Sequence, residues 1–294
     1  MSIKSIGSTL LILISVFSAM ANGASQSNNK VLTFTAIPDQ DQSQLRLRFQ
    51  KVADYLSAEL GVQVNYIPVK SYAAAIGAFR NNQVQLAWFG GLSGVRARQL
   101  VPGSRAIAQG VEDRQFKSYF IAHHSTGLSR SDSFPQGIAG KTFTFGSKGS
   151  TSGRLMPEYY IRQQLQRSPQ QLFSAVGFSG DHSLTINQVQ AGAYQVGAVN
   201  YQVWQSMLAA GKVDLSKVSV IWQTPQYTDY QWSIRAGVDG DYGPGFSDKV
   251  QAALLKMRDP QLLKQFPRSG FIAAENADYQ AIKETAIALD LLQP

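Results

Sequence analysis

The sequence predicts an α/β fold of two lobes, each a mixed sheet flanked by helices, joined by two hinge crossovers. Three observations predict it. Strand-like and helix-like segments alternate along the chain in two successive cycles. The 294 residues, with 44% hydrophobic and 11% aromatic content, are enough for two units of about 100 to 150 residues. A short strand-like segment near residue 234 follows the second cycle, where it can return to the first.

Lys4 precedes the apolar run Leu10-Leu11-Ile12-Leu13-Ile14-Ser15-Val16-Phe17, and small residues follow. This pattern is expected of a cleaved secretory signal peptide over residues 1–24, cut after Ala19-Met20-Ala21 or after Asn22-Gly23-Ala24. The alternative, a retained anchor, is disfavoured because the run falls short of the roughly 20 residues of a bilayer span. Val31 to Ile37 alternates as a buried strand, and Pro38-Asp39 ends it. Leu45, Phe49, Val52, Ala53, Leu56 and Leu60 recur at helical spacing and Gly61 supplies a stop, which predicts a helix from Ser43 to Leu60. Val62 to Val69 reads as a strand, Tyr72 to Arg80 as a helix, Leu86 to Phe89 as a strand and Leu92 to Leu100 as a helix.

The second cycle has strands at Lys117 to His123, Lys141 to Phe145, Ala175 to Phe178, Gln195 to Val199 and Val218 to Gln223. Its helices run from Ser152 to Arg167, Leu184 to Ala191 and Tyr201 to Ala210. Ile234 to Ala236 is the returning strand, and Ser247 to Met257 and Ala277 to Leu292 are closing helices. The expected lobes are therefore 31–122 with 234–294, and 123–233, with crossovers near His123 and Trp232.

Composition narrows the chemistry. The chain has no cysteine, so disulfides, thiol catalysis, Cys-ligated metals and a lipid-modified cysteine are excluded. His123, His124 and His182 show no metal-site spacing, and no nucleophile elbow, phosphate loop or dinucleotide fingerprint is present. An enzyme, a metal site and a cofactor are thus not expected. Lys and Arg exceed Asp and Glu by 27 to 19 but are dispersed, which argues against nucleic acid and weakly favours a small anion.

The informative segment is Phe145-Gly146-Ser147-Lys148-Gly149-Ser150-Thr151-Ser152-Gly153-Arg154, between a predicted strand and a predicted helix. A helix start offers unpaired N–H groups and partial positive charge, so these hydroxyls suit a tetrahedral anion. Equally, Thr151 or Ser152 is an ordinary helix cap. Gly90-Gly91 after the third strand either admits a ligand to the backbone or makes a tight turn. Trp88, Phe89, Tyr119, Tyr227, Tyr230 and Trp232 are candidates for a dry pocket wall or for plain core, with Tyr119 and Tyr230 the candidate donors because they flank the crossovers.

Ala36-Ile37-Pro38-Asp39, Pro68-Val69 with Tyr72, Ala87-Trp88-Phe89-Gly90-Gly91, Ser150-Thr151-Ser152-Gly153 with Met156-Pro157, Ser179-Gly180 with His182, and Gly197-Ala198-Val199-Asn200 with Trp204 occur in one order. In this, over most of residues 31–290, the chain resembles the phosphonate and phosphite periplasmic binding proteins of ABC importers, including a branch labelled selenate-binding. The resemblance implies a type II-like periplasmic binding protein that closes on a small oxyanion and performs no catalysis. It implies an inner-membrane ABC permease as partner, a monomer, and a periplasmic location. It places Ser150, Thr151 and Ser152 on the anion, Tyr72 opposite them as a phenol donor, and His182 beside them. The chain departs from the family in reading Asp181-His182-Ser183 where many members read Ser-His-Asp, and in having Asn200 where many have a carboxylate. Without the resemblance, His182 is equally a turn residue and Asn200 a helix cap. The Asn200 amide argues against an aminoalkyl phosphonate unless Asp39 or Asp181 enters the cleft. Phosphite or a small phosphonate is the expected ligand, with selenate, sulfate or phosphate as alternatives; a sensor domain and a periplasmic enzyme using His182 are the rival functions.

Overall fold

The computed structural model describes Met1 and residues 30–293, so the expected signal-peptide cleavage sites lie outside the described residues. β1 (Leu32–Ala36) leads into α1 (Gln42–Leu60). Asp41 caps α1 by accepting the Ser43 and Gln44 N–H groups, and Gly61 ends it at φ 67. The helix buries Leu45, Phe49, Val52, Ala53 and Leu56, the stripe its sequence spacing predicts. β2 (Val64–Tyr66), α2 (Tyr72–Arg80), β3 (Leu86–Phe89), α3 (Gly91–Leu100) and β4 (Arg105–Gly110) follow.

The second lobe contains β5 (Ser118–His123), β6 (Thr142–Phe145), a π-helical turn (Thr151–Leu155), α4 (Met156–Leu165), α5 (Pro169–Leu172), β7 (Ala175–Phe178), α6 (His182–Gln190), β8 (Val196–Asn200), α7 (Tyr201–Ala209) and β9 (Val218–Gln223). The chain then returns to the first lobe through β10 (Gln231–Ile234), α8 (Val238–Tyr242), α9 (Phe246–Lys256), α10 (Pro260–Gln265), β11 (Phe271–Ala273) and α11 (Gln280–Ala288).

Two mixed sheets result, in the orders β11-β4-β10-β3-β1-β2 and β7-β6-β8-β5-β9. β1 pairs in parallel with β2 and β3, whereas β10 runs antiparallel between β3 and β4. The same plan recurs in the second sheet, where β6 is parallel to β7 and β8 and β5 is antiparallel to β8 and β9. Phe34, Phe49, Phe79, Phe89, Trp232 and Phe266 fill the first core. Phe120, Phe143 and Phe145 fill one side of the second sheet, and Ile121, Ile186 and Val199 the other.

The crossovers lie earlier than the sequence reading sets them. His123 ends β5, which pairs wholly within the second sheet, so the outward crossing precedes Ser118. Phe116 and Tyr227 meet there in an isolated antiparallel bridge, with N···O distances of 2.8 and 3.0 Å. The two crossing segments are thereby tied side by side, and β10 is already in the first sheet by Gln231 rather than Ile234. The sequence reading also omits β4 and β11, which pair with each other across more than 150 residues of chain.

Candidate functional site

The cleft between the lobes gathers the loops that leave the carboxyl ends of β1, β3, β6 and β8, the place where open α/β sheets hold ligands. From β6 the chain passes Gly146 and enters the π-helical turn. Ser150 accepts the Gly153 N–H at 2.9 Å, and Leu155 N–H reaches back to Ser150 O at 3.0 Å. The capping role foreseen for this segment belongs to Ser150, and it leaves the hydroxyl proton free to donate. Pro157 has no N–H to give the turn, so the Ser152 and Gly153 carbonyls take other donors. Ser118 Oγ donates to Ser152 O at 2.7 Å and Gly146 N–H to Gly153 O at 2.9 Å. These bonds fasten a wide helix start to β5 and β6. The first N–H groups of such a turn have no preceding carbonyl to bond, and Ser150 Oγ takes one of them, that of Gly153.

His182, fully buried at the start of α6, stands beside this turn. Asn200 N–H donates to its Nδ1 at 3.2 Å, which places the ring proton on Nε2. Nε2 lies 3.5 Å from Ser152 Oγ, too far for a strong bond, so its N–H is available to a ligand oxygen. Burial pushes the His182 pKa down to about 3. The imidazole is therefore a neutral donor at any physiological pH. Gly153 is required here, because a Cβ would fall 2.9 Å from His182 Cε1.

The first lobe supplies the facing wall. Tyr72 is buried, and its hydroxyl lies close to Ser150 without a hydrogen bond of full geometry. Gly90 brings the backbone close: a Cβ there would stand 3.1 Å from Asp229 Oδ1 and 3.3 Å from Thr151 Oγ1. Gly91 N–H donates to Asp229 Oδ1 at 2.9 Å, and Leu92 N–H donates to Thr151 Oγ1 at 3.0 Å across the cleft. The Thr151 side chain thus joins the lobes, with its hydroxyl beside the Asp229 carboxyl.

Asp229 is the site carboxylate that sequence reasoning missed. Its Oδ2 is buried with no partner, and burial raises its pKa to about 7, countered in part by the Gly91 N–H and the Thr151 hydroxyl. The only signal in the sequence is that Asp229 is the one charged residue between Lys217 and Arg235.

Asn200 and Tyr230 are committed elsewhere. Asn200 Oδ1 caps α7 by accepting the Gln202 N–H at 2.7 Å and the Val203 N–H at 3.3 Å. Its Nδ2 donates to Tyr230 OH at 3.0 Å, and that hydroxyl donates to Asp39 Oδ2 at 2.8 Å. The Tyr230 phenol, expected as a ligand donor, has its proton on Asp39. Asp39 does enter the cleft, and its backbone carbonyl also accepts the His182 N–H at 2.9 Å. Asp181 instead caps α6 through Leu184 N–H. Tyr119 is on the opposite face of β5 from Ser118, packed edge-on to Tyr201 at 6.0 Å and against the core cluster of α6 and α7, apart from the converging donors. Behind Tyr230, Trp88 stacks at 5.5 Å, and Arg268, paired with Asp113 at 2.7 Å, lies over the rings of both.

This convergence of neutral donors on one point suits a small oxyanion. Residues 34–279 match the family described as ABC transporter, phosphonate, periplasmic substrate-binding protein. The chain belongs to this family. It is a substrate-binding component of an ABC phosphonate/phosphite transporter. Among its relatives is a protein of Prochlorococcus marinus (strain MIT 9301) named "Probable ABC transporter phosphite binding protein PhnD1", 38% identical over 289 residues, 96% of each chain. The solved structure of PhnD1 in complex with methylphosphonate superposes with a TM-score of 0.85, covering 90% of this chain and 100% of that one at 39% identity. A phosphate-import protein PhnD of Mycolicibacterium smegmatis (strain ATCC 700084 / mc(2)155) is 23% identical over 257 residues, 82% of this chain and 75% of that one.

Proposed function

We propose that this protein captures phosphite or methylphosphonate in the periplasm and delivers it, unreacted, to an inner-membrane permease. The observation that carries the reading is that Tyr72 OH and Asp229 Oδ2, buried without a hydrogen bond of full geometry, stand next to Ser150 and Thr151 of the turn. Buried polar groups are nearly always satisfied, so such a pair points to a ligand that completes them. We assign the ligand contacts to the N–H groups of the turn, the Ser150 and Ser152 hydroxyls, Tyr72 OH, His182 Nε2–H and Asp229. Thr151 contributes its N–H and closes the lobes with its side chain.

The His182 tautomer argues against an enzyme. Ser152 and His182 approach as a nucleophile and base would, but Nε2 already carries the proton that a base there would have to accept. No helix among the described residues is long and apolar enough to cross a membrane. Membership of this family supports a mature chain working in the periplasm after cleavage of residues 1–24, and we take that chain to be a monomer.

Asp229 alters the argument about ligand choice. A carboxylate is at hand after all, so lack of charge no longer argues against an aminoalkyl phosphonate, and the preference for a compact anion rests on the cluster of donors around the turn. Phosphate should bind more weakly than phosphite, because a fourth oxygen would be dehydrated with no donor left for it. Calorimetric titration with phosphite, methylphosphonate, 2-aminoethylphosphonate, phosphate, sulfate and selenate tests the reading. Phosphite or methylphosphonate should bind at least about tenfold tighter than the others. A preference for 2-aminoethylphosphonate, phosphate, sulfate or selenate would overturn it, and turnover of any of these compounds would overturn the non-catalytic part.

A further inference from the structure

Three arginines are buried among the described residues, and two of them have an acid beside them. Arg154 pairs with Glu158 and Arg268 with Asp113. Arg98, in the last turn of α3 and only 8% exposed, forms no ion pair among the described residues. Its Nη1 donates to Gln231 Oε1 and, at 3.0 Å, to Ser233 Oγ, both neutral groups on β10. Burial lowers its pKa to about 10, and the Tyr279 phenol, whose ring centre lies 5.2 Å from the guanidinium, acts in the opposite sense. The end of the helix and the aromatic face favour the cation without neutralising it, and a buried charge with no counter-charge is costly. The fold makes room for it even so. Gly94 stands inside α3, where a Cβ would fall 2.9 Å from Gln231 Cδ and 3.1 Å from Arg98 Nη1, although glycine weakens a helix interior.

Arg98 lines a cavity of about 250 Å³ between α3 and the start of α11, together with Ser104, Asn276, Tyr279 and Lys283. No acidic residue borders this cavity, and none of its residues belongs to the cradle. Arg98 Nε and Nη2 have no protein partner among the described residues, and neither is sealed from solvent. That edge of a guanidinium presents two parallel N–H groups, the fork that takes a carboxylate or phosphate through both oxygens at once. Half-buried Lys283 adds a second cation. Ser104 Oγ accepts the Ala236 N–H at 3.1 Å, which leaves its proton to donate. We infer that this cavity is a second anion site, in which the free edge of Arg98 holds a carboxylate, sulfate or phosphate group and Lys283 supplies further charge. Its residues all belong to the first lobe, so the site is present whether the lobes are open or closed and whatever the cleft holds.

The test is an NMR titration of the backbone amides with succinate and, separately, with sulfate, at saturating methylphosphonate so that the cradle is already filled. The two probes distinguish an organic acid from an inorganic anion as the natural source of the charge. At least one of them should bind with a Kd below about 1 mM, moving the amides of Gly103, Ser104 and Lys283. Arg98→Lys keeps the charge but removes the fork, and should weaken that binding at least about tenfold. Lys283→Gln should weaken it roughly three- to fivefold while methylphosphonate affinity stays at the wild-type value, and this variant keeps the test decisive if Arg98→Lys does not fold. Shifts confined to residues of the cradle, shifts that grow without saturating, or binding that both variants leave unchanged would each overturn the second site.

Discussion

At Thr151 one hydroxyl serves both lobes, accepting from Leu92 N–H of the first while held in the turn of the second. Replacing it with valine leaves that N–H buried without an acceptor when the lobes close. Thr151→Val should therefore weaken binding by about 1 to 3 kcal/mol, roughly five- to a hundredfold. Thr151→Ser, which keeps the oxygen, should stay within about threefold of the parent by calorimetry. Equal affinities for the valine and threonine proteins would show that the hydroxyl joins nothing of consequence. Asp229 carries the pH dependence. Burial raises its folded pKa to about 7 from 3.8, so its contribution to stability is fully present below 3.8 and is lost as pH rises through about 7. Binding follows the same sign, because the neutral carboxyl donates to an anion whereas the ionised one repels it. Asp113 adds to the raise and Arg268 opposes it. His182, at about 3, stays uncharged across this range and adds no transition. Affinity for methylphosphonate should fall as pH rises through about 7, and Asp229→Asn should flatten the fall. The ligand's own ionisation affects both proteins alike, so the difference between their profiles isolates Asp229. Superimposable profiles would remove Asp229 from the binding equilibrium.

The π-helical turn is the element on which the site depends, and Pro157 is its cause. In an α-helix the residue at 157 would donate to Gly153 O, and in a continuing π-helix to Ser152 O. Proline can do neither, which frees those carbonyls for Gly146 N–H and Ser118 Oγ. Farther along, fully buried Glu158 holds Arg154 and Arg162 by ion pairs, and Arg154 rests on the faces of Phe145 and Phe178. Pro157→Ala restores an N–H that competes for both carbonyls. Ligand affinity should drop about tenfold while the melting temperature holds or rises, since alanine favours helix more than proline does. Calorimetry paired with thermal denaturation separates this from simple unfolding, in which both would fall.

At the scale of the molecule, four hydrogen bonds among the described residues link the lobes without a ligand: Leu92 to Thr151, His182 to Asp39, Asn200 to Tyr230 and Gln202 to Pro267. Tyr227, bridged to Phe116 where the segments cross, also holds Ser118 Oγ at 2.6 Å, and Ser118 holds the turn. Hinge and cradle are thus in direct contact. Opening must break the bonds between lobes, while ligand contacts from both lobes exist only when they are closed, so a ligand shifts the balance toward closure. Small-angle scattering should give a smaller radius of gyration at saturating methylphosphonate than without it. An unchanged radius, with binding proved by calorimetry, would mean that the lobes are already closed in solution.

The elements set by local pattern were legible in the sequence. α2, β3, β7 and β9 fall where side-chain period and flanking residues place them, because alternation and helical spacing are properties of neighbours in the chain. The motifs also singled out Tyr72, the hydroxyl turn and His182, the positions proposed here to hold the ligand, since the resemblance carries them together. Only the tertiary structure decided the rest. β4 and β11 become strands through partners far away in the chain, and a short segment buried by both neighbours has no alternation to display. Asn200 was assignable as cap or ligand group until Tyr230 and Asp39 arrived beside it from the other lobe. Asp229 could not be found as a site residue, because what sets it apart is burial and an unpaired oxygen, and both are made by segments remote in sequence. The sequence determined which groups could meet an anion, and the closing of one lobe on the other decided which of them remain free to do so.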